Sequence, residues 1–149
     1  MPGAFPEPAA RVRPAGYPRR VVTGFHHLTL RVSDLARSRR FYQALPEFVI
    51  DQDMPDYKVR FRVGAAAHRL VLTPPLPGTP DGDRFSERRI GLDHVAVGVS
   101  GRDELTAMLV ALREIGADTD GIHLDRAGEV AMITFRDPDN IQWEFFEEA

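Results

Sequence analysis

The chain contains no cysteine. That excludes a disulfide scaffold, thiol catalysis, iron–sulfur clusters and cysteine-bound zinc. Lysine is nearly absent too: Lys58 stands alone among 19 basic residues, the others being arginine. With proline and alanine abundant, this is a composition bias and carries no functional message. No apolar run approaches the roughly 20 residues that a membrane-spanning helix needs. The first residues lack the apolar core of a secretory signal, so a cytoplasmic protein is expected. A formal net charge of -3 supplies no global basic field. Neither nucleic acid nor an anionic membrane is therefore an expected partner. What is present is a chain of 149 residues, 43% hydrophobic and 28% charged. That is enough for one domain, or for two small modules sharing a core.

Residues 1–20 hold five of the 12 prolines and no apolar period. They read as an N-terminal arm, either a frayed terminus or a strap. The segment His27 to Val32 alternates, with Leu28, Leu30 and Val32 on one side, which predicts a half-buried strand. Ser33 or Asp34 offers an N-cap. Leu35, Ser38, Phe41, Tyr42 and Leu45 then fall at helical spacing, predicting a helix over 34–45 that Pro46 stops. Strands are expected near 47–53, 57–63 and 68–73. Residues 74–90, with four prolines, read as a linker.

The second half repeats this order. Asp93 to Val99 alternates in the sense of His26 to Val32. Leu105, Leu109, Leu112 and Ile115 mark a helix over 102–115, ended by Gly116. Strands are expected near 121–125, 129–136 and 141–147, with Asp137-Pro138-Asp139-Asn140 as the last turn. The organisation is thus an arm (1–20), a first β-α-β-β-β module (21–73), a linker (74–90) and a second module (91–149).

By the period of two, His27 shares a face with Thr29 and Arg31, and His94 with Ala96 and Gly98. The opposite faces are aliphatic and suited to pack on helices. Glu144 alternates with Trp143 and Phe145, which read as core, while Phe146 shares the Glu144 face as a candidate apolar wall. A carboxylate in so apolar a strand needs a proton, a cation or a metal if buried. Two histidines and one glutamate on ligand-facing strands are placed to meet at one point.

Among the remaining candidates, His123 lies on a strand that lines the same side. A neutral imidazole there suits a general base. Arg31 is placed to grip an anionic group bidentately, with Thr29 beside it. Tyr57 and Arg60 are possible wall residues of uncertain parity. Alternation turns His26 away from His27.

The stretches HHLTLRVSDLARSRRFY, LDHVAVGVSGRDEL and FRDPDNIQWEFFE resemble the vicinal oxygen chelate superfamily, the glyoxalase, bleomycin-resistance and extradiol-dioxygenase group. The resemblance covers about residues 24–147. It implies an α+β fold of two βαβββ modules forming an incompletely closed, metal-centred barrel. It also implies metal ligands on the first and last strands of each module. Carried over residue by residue, three of these positions are filled, by His27, His94 and Glu144. The remaining position falls near Val71, where nothing ligates unless His68 is recruited by a shifted register. Two imidazoles and one carboxylate leave adjacent sites open for a bidentate substrate.

This pattern implies an enzyme acting on a small molecule that chelates through vicinal oxygens. An Fe(II) dioxygenase-like oxidoreductase is the first choice; Mn(II), Ni(II) and Zn(II) also suit the donors. A glyoxalase-like lyase or isomerase with another divalent metal is the alternative, with Glu144 or His123 moving a proton. A metal-free antibiotic-binding protein is the non-enzymatic alternative. A fosfomycin-transferase reading fits less well, because five residues follow Glu144 where those enzymes carry a basic segment. A homodimer is expected, since small modules bury little alone and open sheet edges invite pairing. The ligands then come from one chain or from two.

Overall fold

The computed structural model describes residues 22–148. The expected arm, residues 1–20, lies outside the described residues. The element order is β1 (Leu28–Arg31), α1 (Leu35–Gln43), β2 (Phe48–Met54), β3 (Lys58–Val63), β4 (His68–Thr73), β5 (Val95–Val99), α2 (Arg102–Glu114), β6 (Asp118–Leu124), β7 (Ala131–Arg136) and β8 (Gln142–Glu147). Two separate four-stranded sheets result, ordered β1-β4-β3-β2 and β5-β8-β7-β6. In each, the first and last strands of the unit pair in parallel and the other pairs are antiparallel. The fold is α+β, and the sheets do not close into a barrel.

Local chemistry sets the helix ends. Asp34 caps α1 by accepting the Arg37 N–H at 2.8 Å, which satisfies a donor the helix leaves free. Helix α1 stops at Gln43, two residues short of the apolar period. The Ala44 N–H still reaches the Arg40 carbonyl at 3.3 Å, but Pro46 has no N–H to continue. Helix α2 ends in a Schellman motif. Gly116 takes a φ of 67°, and the Ala117 and Gly116 amides reach the Leu112 and Arg113 carbonyls at 2.9 and 3.1 Å.

One core serves both units. Leu30, Leu72, Val59 and Phe61 face it from the first sheet; Ile133, Phe135, Trp143 and Phe145 face it from the second. Tyr42 of α1 reaches across, its ring 5.5 Å from that of Trp143. Phe48 lies 6.0 Å from Trp143 and 6.5 Å from Phe145. The consequence for function is directional. With the apolar faces turned to a shared core, the other face of each sheet turns away from it, and the two outer faces do not meet within one chain.

The connection between β4 and β5 is pinned to the turn before β8. The Phe85 N–H donates to the Asp139 carbonyl at 3.0 Å, and Asn140 Nδ2 to the Phe85 carbonyl at 2.9 Å. Arg136 holds Glu87 through two bonds of 3.1 and 2.9 Å. Among the described residues, no helix is long and apolar enough to cross a membrane.

Candidate metal centre

Strand β8 places Glu144 on the outer face of the second sheet, between Ala96 of β5 and Thr134 of β7. The residue is buried, at 8% exposure, although no large neighbour covers it on the β5 side. His94 immediately precedes β5, and its Nε2 lies 3.3 Å from Glu144 Oε2. Its other ring nitrogen, Nδ1, lies 2.6 Å from Asp93 Oδ1. An ionised carboxylate only accepts, so Nδ1 carries the proton. In the neutral ring Nε2 is then a lone pair facing a carboxylate oxygen. Two acceptors at that distance need a proton or a cation between them. This is also how a carboxylate orients a ligating histidine. The donor set therefore fits a divalent metal.

Two partners of this pair escaped the sequence reading. Gln142 Nε2 donates to Glu144 Oε1 at 3.3 Å, and Asp93 fixes the His94 tautomer. Parity signals the first, since Gln142 lies two residues before Glu144 on the same face. Adjacency signals the second. Glu148 is a third addition; its carboxylate occupies the space that a side chain at Gly98 would fill.

His123 lies on β6 opposite Met132, two strands from Glu144 in the same sheet. Its Nδ1 is 3.1 Å from the Gly121 carbonyl, which only accepts. In the neutral ring Nε2 is thus an unprotonated base. Phe146 pairs with Met132 on β7 and lies beside Gly98 on β5, forming an apolar wall on this outer face.

The first sheet carries the other candidates. Thr29 lies opposite Val71, and Arg31 opposite Thr73. Arg31 donates to the Pro74 carbonyl at 2.6 Å. Arg60 is the partner of Val71 on β3 and is tied to Asp51 at 2.7 Å. That guanidinium holds the Asp51 carboxyl below its ordinary value. Tyr57 sits in the β2–β3 turn, exposed. His68 opens β4 and is exposed.

His27 is exposed and does not join His94 and Glu144. Among the described residues, no group of three or more potential ligands stands ready to hold a metal. Its Nδ1 instead lies 2.8 Å from His26 Nδ1, and His26 Nε2 lies 2.8 Å from Arg69. His26 therefore keeps company with His27, contrary to the alternation argument, because the strand begins only at Leu28 and alternation does not extend to His26. Arginine only donates, so with neutral rings the chain of donors runs Arg69, His26, His27. Ligation by His27 requires it to leave His26.

A model of the Glyoxalase/Bleomycin resistance protein/Dioxygenase superfamily matches residues 24–145. The chain belongs to this superfamily. Among solved structures, it is similar to a glyoxylase/bleomycin resistance protein/dioxygenase domain from Frankia sp. EAN1pec, with 25% identity, a TM-score of 0.73, and coverage of 86% of this chain and 99% of that one. A lactoylglutathione lyase from Agrobacterium tumefaciens matches at 18% identity and a TM-score of 0.63, covering 85% of this chain and 94% of that one. A mutant of the fosfomycin resistance protein FosX from Listeria monocytogenes, complexed with Mn(II) and 1S,2S-dihydroxypropylphosphonic acid, matches at 20% identity and a TM-score of 0.66, covering 86% and 92%. At these identities the last two speak for the fold alone. No curated protein matches the chain.

Proposed function

We propose that this superfamily member is a mononuclear metal enzyme whose site forms between two copies of the chain. His94 and Glu144 hold the metal, and His27 of a second copy supplies the third ligand. The observation that carries the reading is the His94–Glu144 contact of 3.3 Å, with Asp93 Oδ1 2.6 Å from the far ring nitrogen of His94. The outward-turned face of each sheet supports the two-chain arrangement. It leaves both halves of the ligand set open to a partner. Open edge strands β1 and β5 support pairing as well.

A divalent metal bound there would act as a Lewis acid on two neighbouring oxygens of a substrate, and iron would add redox chemistry with dioxygen. The chain's own residues perform the remaining tasks. Asp93 keeps the His94 lone pair aimed at the site. Gln142 occupies one oxygen of Glu144 and leaves the other for the metal. Ala96, being small, leaves space beside the carboxylate for the substrate. Phe146 and Met132 give that space an apolar wall. The Fe(II) dioxygenase-like activity is the first reading, on the strength of the 2-His-1-carboxylate donor set. A lyase or isomerase is the second, favoured by His123 on the same sheet face as Glu144, since a neutral imidazole suits proton abstraction from a chelated substrate.

The deciding experiment is metal content per chain after anaerobic purification, with Glu144→Ala beside the wild type. Iron near one per wild-type chain, lost in the variant, supports the dioxygenase reading. Manganese, nickel or zinc at that level supports the lyase or isomerase. No metal in either protein after reconstitution overturns both and leaves a small-molecule binding protein.

A further inference from the structure

The outer face of the first sheet is cationic. Thr29 and Val71 lie side by side at its centre. Arg60 lies in the same row, directly opposite Val71. Arg69 and Arg62 form the row on one side. Arg31 and Lys58 follow on the other, Arg31 opposite Thr73 on β4 and Lys58 next to the Val59–Leu72 pair. Of the strand residues on this face only Asp51 is acidic. It binds Arg60 through two bonds of 2.7 and 3.3 Å and lies 3.8 Å from Arg62. One carboxylate thus answers five cations in a chain whose net charge is -3.

A like-charged concentration of this kind repels itself and is relieved when an anion arrives. The residue types narrow the anion. Guanidinium groups present paired N–H donors that match carboxylate and phosphate or phosphonate oxygens. Arg62 is more than half exposed, at 57%, and Arg60 is 33% exposed, so both retain donors for a ligand. The centre of the ring carries no metal donor, because Val71 stands there. Cations around it also disfavour a second cation. Apart from His27, which it lends to the metal, this half is suited to the substrate's charge and the Glu144 half to the metal's.

We infer that the substrate is a small-molecule anion, with a carboxylate or a phosphate-type group seated on Arg60 and Arg62 while its vicinal oxygens reach the metal. The inference rests on the two-chain metal site proposed above, because only a partner's second sheet brings Glu144 opposite this face.

The test is a charge series on one three-carbon frame that keeps a free vicinal diol throughout. Binding of 1,2-propanediol, glycerate and glycerol 3-phosphate is measured by calorimetry at fixed ionic strength. The proteins are wild type, Arg62→Gln, Asp51→Asn and Glu144→Ala, with metal content recorded for each. The wild type should prefer the phosphate over the neutral diol by about tenfold or more. Glycerate binding as tightly as glycerol 3-phosphate assigns the seat to a carboxylate. Weaker binding assigns it to a phosphate-type group. Arg62→Gln should lose the charge preference and keep its metal. Asp51→Asn should bind the anion several-fold tighter, since it removes the competing carboxylate. Glu144→Ala should lose its metal yet keep the charge preference. A wild type with no charge preference, or one that Arg62→Gln leaves intact, overturns the inference. So does an Arg62→Gln protein that falls to monomers, because the arginines then serve the partner chain rather than a ligand. Absent metal in the wild type defeats the metal reading instead, whatever the anion does.

Discussion

The Tyr42 hydroxyl joins the two halves of the molecule: it donates to Asp137 Oδ2 at 2.7 Å and accepts the Trp143 indole N–H at 2.9 Å. Tyr42 belongs to α1 of the first unit; Asp137 and Trp143 flank the turn before β8 in the second. All three are buried. Burial, then the neighbouring Asp137 charge, pushes the Tyr42 phenol well above its ordinary value, so it remains a donor. The other Asp137 oxygen accepts the Asp139 and Ile141 amides at 2.9 and 2.7 Å. Tyr42→Phe leaves a buried carboxylate oxygen and an indole N–H unpaired while keeping the ring. It should cost about 2 kcal/mol in urea unfolding. Metal content should not change, because the Tyr42 hydroxyl bonds only to Asp137 and Trp143, whose side chains turn to the core and away from Glu144.

The pinned connection has a pH signature. Arg136 holds Glu87 down from 4.5 to about 2. A depressed carboxyl stabilises the fold above its unfolded value and loses that contribution as pH falls. The difference in unfolding free energy between wild type and Glu87→Gln should be constant above about pH 5 and shrink towards zero near pH 2. Asp137 acts in the opposite sense, since burial raises its value. Its charged form costs stability as pH rises through that raised value. Subtracting the variant curve cancels Asp137 and isolates Glu87. A difference that does not fall with acid refutes the contribution of the pair.

Asp93 is exposed and holds up no core, yet it decides which nitrogen of His94 is free. Asp93→Asn offers Nδ1 a neutral partner and weakens the orientation of the ring. Metal affinity should fall about 10- to 100-fold. Thermal stability of the metal-free protein should be unchanged. An equal loss in both would make Asp93 merely structural.

Much of this was readable from the sequence because it is local. Leu28, Leu30 and Val32 report a strand by alternation, and Leu105, Leu109 and Leu112 report a helix by period. The Glu144 carboxylate advertised itself by its apolar neighbours. The Tyr42–Asp137–Trp143 link was not readable. Its partners lie 95 and 101 residues apart, and no local pattern pairs them. The cationic face was also hidden, because placing Arg60, Arg62 and Arg69 together needs the register of β3 against β4. A bulge between Ile50 and Gln52 puts Asp51 among them and breaks the parity on which a sequence reading depends. The resemblance named His27, His94 and Glu144 as one ligand set, but ligand identity carries no information about which chain supplies each member.

That last point can be settled by mixing. In a twofold dimer with shared sites, each site takes His27 from one chain and His94 with Glu144 from the other. His27→Ala and Glu144→Ala are each defective at both sites of their own dimer. A mixed dimer of the two variants has one site with both lesions and one with neither. Unfolding and refolding an equal mixture should therefore restore tight metal binding to about a quarter of the wild-type level, since about half the dimers are mixed and each carries one intact site of two. Metal bound per chain, read after gel filtration, measures this. If all ligands come from one chain, every site keeps its lesion on mixing and nothing is restored. Recovery in the mixture, absent from either variant refolded alone, would place His27 across the interface from Glu144.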